Sequence, residues 1–236
     1  MVFDSRGKPT VEAEVIVNGE VSGSSIAPSG ASTGKKEAIE KRDNKNDFLG
    51  ESVNNNILLI NTIIKENLIG FDIEDQEGID NKLIILDDTP NKSFLGANTT
   101  IAVSMAALKT AAISNKTSLW SYLSLNSEKK IPLPQVQIIG GGAHAKGSIP
   151  IQDFMIIPNG ASNFYSALEW VFKVYRKAGE RLLEEKKLFG VADEGGYWPF
   201  FNNIEEVLIF LTETIEQSGL EPLKEVSISL DIAANN

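Results

Sequence analysis

From Thr10 to Val21 apolar and polar positions alternate, with Val11, Ala13, Val15 and Val17 on one side. That two-residue period is the mark of a strand with one buried face. Asn18-Gly19 then supplies a strong hairpin signal, so an antiparallel meander is expected to open the chain. The stretch SGSSIAPSGASTGKKEA is small and polar as far as Lys36, follows neither the strand nor the helix period, and reads as a long loop. Loops of that length inside a compact domain are usually lids or binding segments. Helical spacing returns over Val53–Leu68, and again after Asn98, which stands where a cap would precede Ile101, Val103, Met105, Ala106 and Leu108. Two helices on a meander make a small α+β domain.

The character of the chain changes at the charged turn Ser127-Glu128-Lys129-Lys130. IPLPQVQIIGGGAH predicts an apolar strand broken by glycines, and Ile149–Ile157 a second strand. A long amphipathic helix is predicted over Phe164–Leu183, with Leu168, Val171, Phe172 and Tyr175 on its apolar face. A further helix follows over Ile204–Ser218, and VSISLDIAA from Val226 reads as a buried strand. The expected domains are therefore 1–126 and 127–236. The second has the order strand, strand, helix, helix, strand, which departs from the regular βα alternation of a simple barrel.

Composition narrows the choice of partners. The formal charge of -10 leaves no basic surface of the kind that phosphate backbones require, so nucleic acid is not expected. The absence of cysteine removes disulfides and thiolate metal sites and fits a reducing, cytoplasmic setting. No apolar run has the length of a membrane span.

The candidate chemistry centres on VADEGGYW, residues 191–198, where Asp193 and Glu194 precede Gly195 and Gly196. A solvated turn is the plain explanation, since both residue types favour turns for backbone reasons. Asp153, Glu194 and Asp231, however, all fall at strand ends or on loops beside them. Dispersed carboxylates in such positions can meet around one cation, and three hard oxygen donors suggest magnesium. A phosphate-binding P-loop is rejected for the SGASTGKK stretch, because Gly30 and Gly34 are one residue too close and Lys36 stands where Ser or Thr should follow Lys35.

The motifs DSRGKPTVEAEV, APSGASTGKKEA, GANTTIAVSMAALKTAA, GGGAHAKGSIPIQDFMIIPNGA, ADEGG and LDIAA, in this order, resemble the enolase family over essentially the whole chain. The resemblance implies an α/β, enolase-like fold: an N-terminal α+β meander-and-helix domain followed by the first part of a ββαα(βα)-type TIM-like barrel. It implies a magnesium-dependent lyase that interconverts 2-phosphoglycerate and phosphoenolpyruvate. On that basis Ser32 matches the loop serine that binds a second magnesium, His144 the histidine near the substrate, and Asp231 the first carboxylate of the tighter magnesium site. Glu194 matches the glutamate that helps the substrate hydroxyl leave as water. A cramped, partly dry turn would suit that acid, and Tyr197 and Trp198 offer an apolar wall or simple core packing.

Three departures qualify the resemblance. Asp153, in a substrate-binding position, stands where most enolases have glutamate; Gln137 and Gly140 replace the asparagines usual before the glycine pair. The family has further residues before DSRG. Past Asn236 it continues with two more magnesium carboxylates and its lysines, so a fragment, half of a split enzyme or a decayed copy is expected, inactive alone. The competing reading is a non-catalytic enolase-like binding protein. A dehydratase or racemase of the wider superfamily is disfavoured by SGASTG and DEGG together. Assembly as a homo-oligomer, or with a complementary C-terminal half, is expected.

Overall fold

The computed structural model describes residues 1–30, 32–44, 46–124, 128–145 and 149–234. Ser127 of the expected boundary turn, and Lys146, Gly147 and Ser148 of the GGGAHAKGS motif, lie outside the described residues. Two compact units are present, one formed by Met1–Gly30 with Lys35–Lys129 and the other by Ala31–Gly34 with Lys130–Asn236.

In the first unit β1 (Val2–Phe3) pairs with β2 (Pro9–Thr10), and β3 (Glu12–Val17) with β4 (Val21–Ile26), all antiparallel. Asn18 and Gly19 both take positive φ at the tip, as their types favour. Val11 and Ala13 are buried while Glu12 and Glu14 are exposed, which is the predicted alternation. The sequence reading starts the loop too early, because Ser22–Ile26 belongs to β4. Its small residues have a packing cause: a Cβ on Gly23 would lie 2.8 Å from the Thr110 Oγ1 of the overlying helix.

That helix, α4 (Ala97–Ser114), packs on β3 and β4 and buries Ala102, Val103, Ala106 and Ala107. Three helical segments precede it: α1 (Asn54–Leu59), which runs through a π-helical turn (Ile60–Ile64) into α2 (Lys65–Leu68), and then α3 (Gln76–Asp87). The short α5 (Leu119–Leu123) follows α4. Asn98 does not cap α4. Gly96 occupies the cap position, and Asn98 is buried inside the helix, accepting from Lys41 N at 3.2 Å and Asn56 Nδ2 at 3.1 Å.

The second unit is built on a five-stranded sheet of order β7-β8-β5-β6-β9. Its strands are β5 (Val136–Gly140), β6 (Asp153–Ile157), β7 (Leu188–Val191), β8 (Tyr197–Pro199) and β9 (Ser227–Asp231). Only β5 and β8 are parallel neighbours. Helices α6 (Phe164–Glu184) and α7 (Ile204–Gln217) close over Ile138, Ile139, Phe154 and Ile156. Each starts on an asparagine, Asn163 accepting from Ser166 N and Asn203 from Glu206 N, both at 2.9 Å, a cap worth about 1 kcal/mol.

Two expectations change here. The buried face of α6 is Ala167, Val171, Val174, Ala178 and Leu182, whereas Leu168 and Phe172 are exposed, so the apolar stripe is rotated toward the small residues that let the helix approach the sheet. Strand β9 is not buried: it is an edge strand, paired on one side among the described residues, with Leu230 and Asp231 exposed.

Candidate active site

Asp193 and Glu194 sit in the turn of the β7–β8 hairpin, an element the sequence reading had taken only as a turn between helices. The hairpin is closed by Ala192 N to Gly196 O at 2.7 Å and Gly195 N to Ala192 O at 2.9 Å. Its two glycines answer different needs. Gly195 has φ +95°, a conformation that other residues rarely adopt. Gly196 is required by close approach, since a Cβ there would lie 2.8 Å from both Cγ and Cδ of Gln137. Tyr175 of α6 adds a third restraint, its hydroxyl donating to Gly195 O at 2.9 Å. Tyr175 and Tyr197 stack at 4.5 Å between centroids, so Tyr197 is packing rather than a wall around the carboxylates. The Tyr197 hydroxyl is pushed up to about 12 by burial and by neighbouring Tyr175.

His144 faces this turn. It lies on a single 3-10 turn, Gly142–Ala145, anchored by Gly141 N to Gln152 O and Gly142 N to Ile149 O, both 2.7 Å. Its side chain is 2% exposed and lies between the two carboxylates, with Nδ1 3.9 Å from Asp193 and Nε2 3.5 Å from Glu194. Buried imidazole Nδ1 has no hydrogen-bond partner among the described residues.

Asp153 completes the group. It is buried at the start of β6, opposite Gly140 on one side and Asp231 on the other. One carboxylate oxygen accepts from Gln137 Nε2 and the other from Gln152 Nε2 at 3.1 Å. The same Gln152 amide reaches toward Asp231 Oδ2 at 3.5 Å, and Asp231 Oδ1 accepts from Ala233 N at 2.9 Å. Because β6 runs antiparallel to β9, the N-terminal end of one strand and the C-terminal end of the other meet at the same sheet edge.

Of the residues expected from sequence, the structure brings His144, Asp153 and Glu194 together, with ligating atoms within 4.8 Å of one another. Asp231 stands beside them, across Gln152. Ser32, half-buried, belongs to the stretch Ala31–Gly34, which groups with the second unit and not with the residues on either side of it in sequence. The expected dry turn is not found, since the Glu194 side chain is 47% exposed. The hairpin projects its tip away from the core that holds its strands. Sequence reasoning missed Gln152, and it placed Tyr175 only on the apolar face of its helix. Gln137 had been noted only as a departure, although a buried amide near a buried carboxylate needs a partner and so carried a signal.

The donor set of His144, Asp153 and Glu194 suits hydrogen bonding better than a hard cation. Imidazole is a poor magnesium ligand, and both Asp153 oxygens already accept from amides.

Comparison with known proteins settles the family. The family model described as "Enolase, N-terminal domain" matches residues 1–123, and that described as "Enolase, C-terminal TIM barrel domain" matches residues 128–236. The chain belongs to the enolase family. It is 45% identical over 235 residues to "Enolase 1" of Desulfitobacterium hafniense, a match that covers 99% of this chain and 54% of that protein. It is 46% identical to the enolase of Pelagibacter ubique, covering 99% of this chain and 56% of the relative. The enolase of Helicobacter pylori is 42% identical, with 99% and 55% covered. The chain thus spans about half the length of the curated relatives it matches. The five-stranded sheet with α6 and α7 is a partial barrel of that family. No helix among the described residues is long and apolar enough to cross a membrane.

Proposed function

We propose that this chain carries the leaving-group side of an enolase active site, which dehydrates 2-phosphoglycerate reversibly to phosphoenolpyruvate. The observation that carries the reading is the meeting of Glu194, His144 and Asp153 at one end of the sheet. Hydroxide is a poor leaving group, so its departure needs a positioned acid, a contribution of about 10²–10⁴ in rate. Glu194 fills that role. Its backbone is clamped by the hairpin bonds and by Tyr175, while its half-exposed carboxyl remains open to a substrate hydroxyl. The buried imidazole of His144 lies against it and orients the carboxylate from the protein side.

Magnesium fits the remaining donor. Asp231 is an exposed carboxylate at a strand end, and magnesium sites draw on one or two protein carboxylates, with water and substrate completing the shell. Asp231 would hold the tighter ion and Ser32 the second. Bound magnesium supplies the positive charge needed when a proton is removed beside a carboxylate. The domains 1–126 and 127–236, a cytoplasmic setting and assembly into an oligomer belong to the same reading.

The test is to co-express the chain with the part of the Desulfitobacterium hafniense enolase that the match leaves uncovered, and to follow phosphoenolpyruvate by absorbance. Turnover that depends on magnesium is expected, and its absence from a soluble complex would withdraw the reading. Glu194→Gln in that complex is expected to lower kcat at least about a hundredfold. Turnover within a few-fold of the parent would remove Glu194 from the role.

A further inference from the structure

We propose that Gln137 is a positioning residue for this site, and that Gln137 and Asp153 act as one length-matched pair tying the Glu194 turn to the sheet. The proposal rests on the enolase reading for its catalytic consequence, though not for the pair itself.

The geometry starts from the register of β5 and β6. Gln137 lies opposite Met155, so Asp153 is its diagonal neighbour, two residues along the partner strand. Diagonal neighbours have Cβ atoms up to about 7–8 Å apart, a gap that neither side chain closes alone. A register shift between Gln137 and Ile139 breaks the regular ladder at this place, a feature that redirects side chains. Gln137 then makes two contacts with one amide group: Nε2 donates to the Asp153 carboxylate, and Oε1 accepts from Gly196 N at 2.8 Å. Both residues are buried, Gln137 at 8% and Asp153 at 4% exposure. An amide donates at one atom and accepts at the other, so a carboxylate at 137 loses one link and an apolar residue loses both.

Length decides the rest. The contact needs the longer reach of glutamine on one side and the short aspartate on the other, so one methylene moved from 137 to 153 leaves their combined reach unchanged. Asparagine at 137 alone falls short by about 1.5 Å and releases either Asp153 or Gly196. Glutamate at 153 alone pushes a carboxylate into the Gln137 amide inside a buried site, where added methylenes strain the packing. Gln137 also covers the face of Gly196, so its loss frees the turn that aims Glu194. Gln137 and Asp153 are therefore matched to each other in length.

A double-mutant cycle tests this. Gln137→Asn, Asp153→Glu and the double variant are each compared with the parent by thermal unfolding of the chain and by kcat and KM in the complemented protein. Each single change is expected to lower both the unfolding midpoint and kcat, the latter at least about tenfold, as shared-network residues do. The double variant restores the contact between positions 137 and 153 but not the one to Gly196, so it is expected to regain part of the lost midpoint while kcat stays lowered. A single variant that does not fold, rescued by the second change, supports the pair equally. Independent effects that multiply in the double variant, or a Gln137→Asn variant indistinguishable from the parent, would overturn it. If the parent complex has no turnover the enolase reading fails, and the unfolding cycle still decides the pair.

Discussion

Among the described residues each unit buries one carboxylate almost completely, Asp87 at 2% exposure in the first and Asp153 at 4% in the second. Their partners differ in kind. Asp87 ends α3 and accepts from backbone N–H groups, Thr89 N at 3.1 Å and Leu95 N at 2.7 Å, and from the Thr89 hydroxyl, all within eight residues. Among the described residues Asp153 accepts from the side-chain amides of Gln137 and Gln152, one of them 16 residues away. Backbone donors in a short loop are fixed once the loop folds, so Asp87 stabilises structure. Side-chain amides are less constrained than backbone donors, so the Asp153 contacts depend on side-chain reach across the sheet. The orphaned polar atoms follow the same division. Among the described residues these are the Ser52 hydroxyl, Asn56 Oδ1 and Gln76 Oε1 in the first unit, whereas in the second they are His144 Nδ1 and Gln152 Oε1, on residues of the candidate site.

The largest test of this contrast is Asp87→Ala, expected to cost about 3 kcal/mol in unfolding free energy, since a charged acceptor is lost and buried donors are orphaned. Asp153→Ala should cost less, because two glutamines can reorient. An equal or reversed order in urea unfolding would break the comparison. Acid sharpens it further. Burial pushes the Asp87 carboxyl up, but the Thr89 and Leu95 donors together hold it below its ordinary value of 3.8. The lowered folded value means that this stability is present above the ordinary value and is lost as pH falls through the lowered one. Asp87→Asn should therefore flatten the acid limb of a stability–pH curve.

A smaller effect is expected at Gly140, where a Cβ would collide with the Ala192 methyl beside the hairpin turn. Gly140→Ala should cost about 1–3 kcal/mol by overpacking, and Ala192→Gly should restore most of it. Failure of that rescue would show that the hairpin does not set the available space. The smallest effect concerns Tyr197. Its folded value is raised, to about 12, so the stability it contributes is complete below the ordinary value of 10.0 and is lost as pH rises toward 12. Thermal scans across that window should show a shallower alkaline decline for Tyr197→Phe than for the parent.

Local pattern was sufficient for the β3–β4 hairpin, the long helices α6 and α7, and the motifs that assign the family, because alternation, helical spacing and turn chemistry are all encoded within a few residues. It failed where packing overrides local composition. β4 looks like loop because α4 demands small residues there, and Asn98 looks like a cap but ties α4 to distant backbone and to Asn56. α3 was missed although Asp75 caps it by accepting from Gly78 N and Ile79 and Leu83 mark its buried face, a short stripe in a polar stretch. The sequence by itself named the candidate residues Glu194, His144, Asp153, Asp231 and Ser32 by their motifs. Only the tertiary structure decided that Asp193 and Glu194 ride on a hairpin, that the antiparallel β6 brings Asp153 level with Asp231, and that Gln137 joins Asp153 to the turn. Apart from the local β7–β8 hairpin, those contacts join strands separated in sequence, and their partners are chosen by sheet register and side-chain reach, which no local window contains.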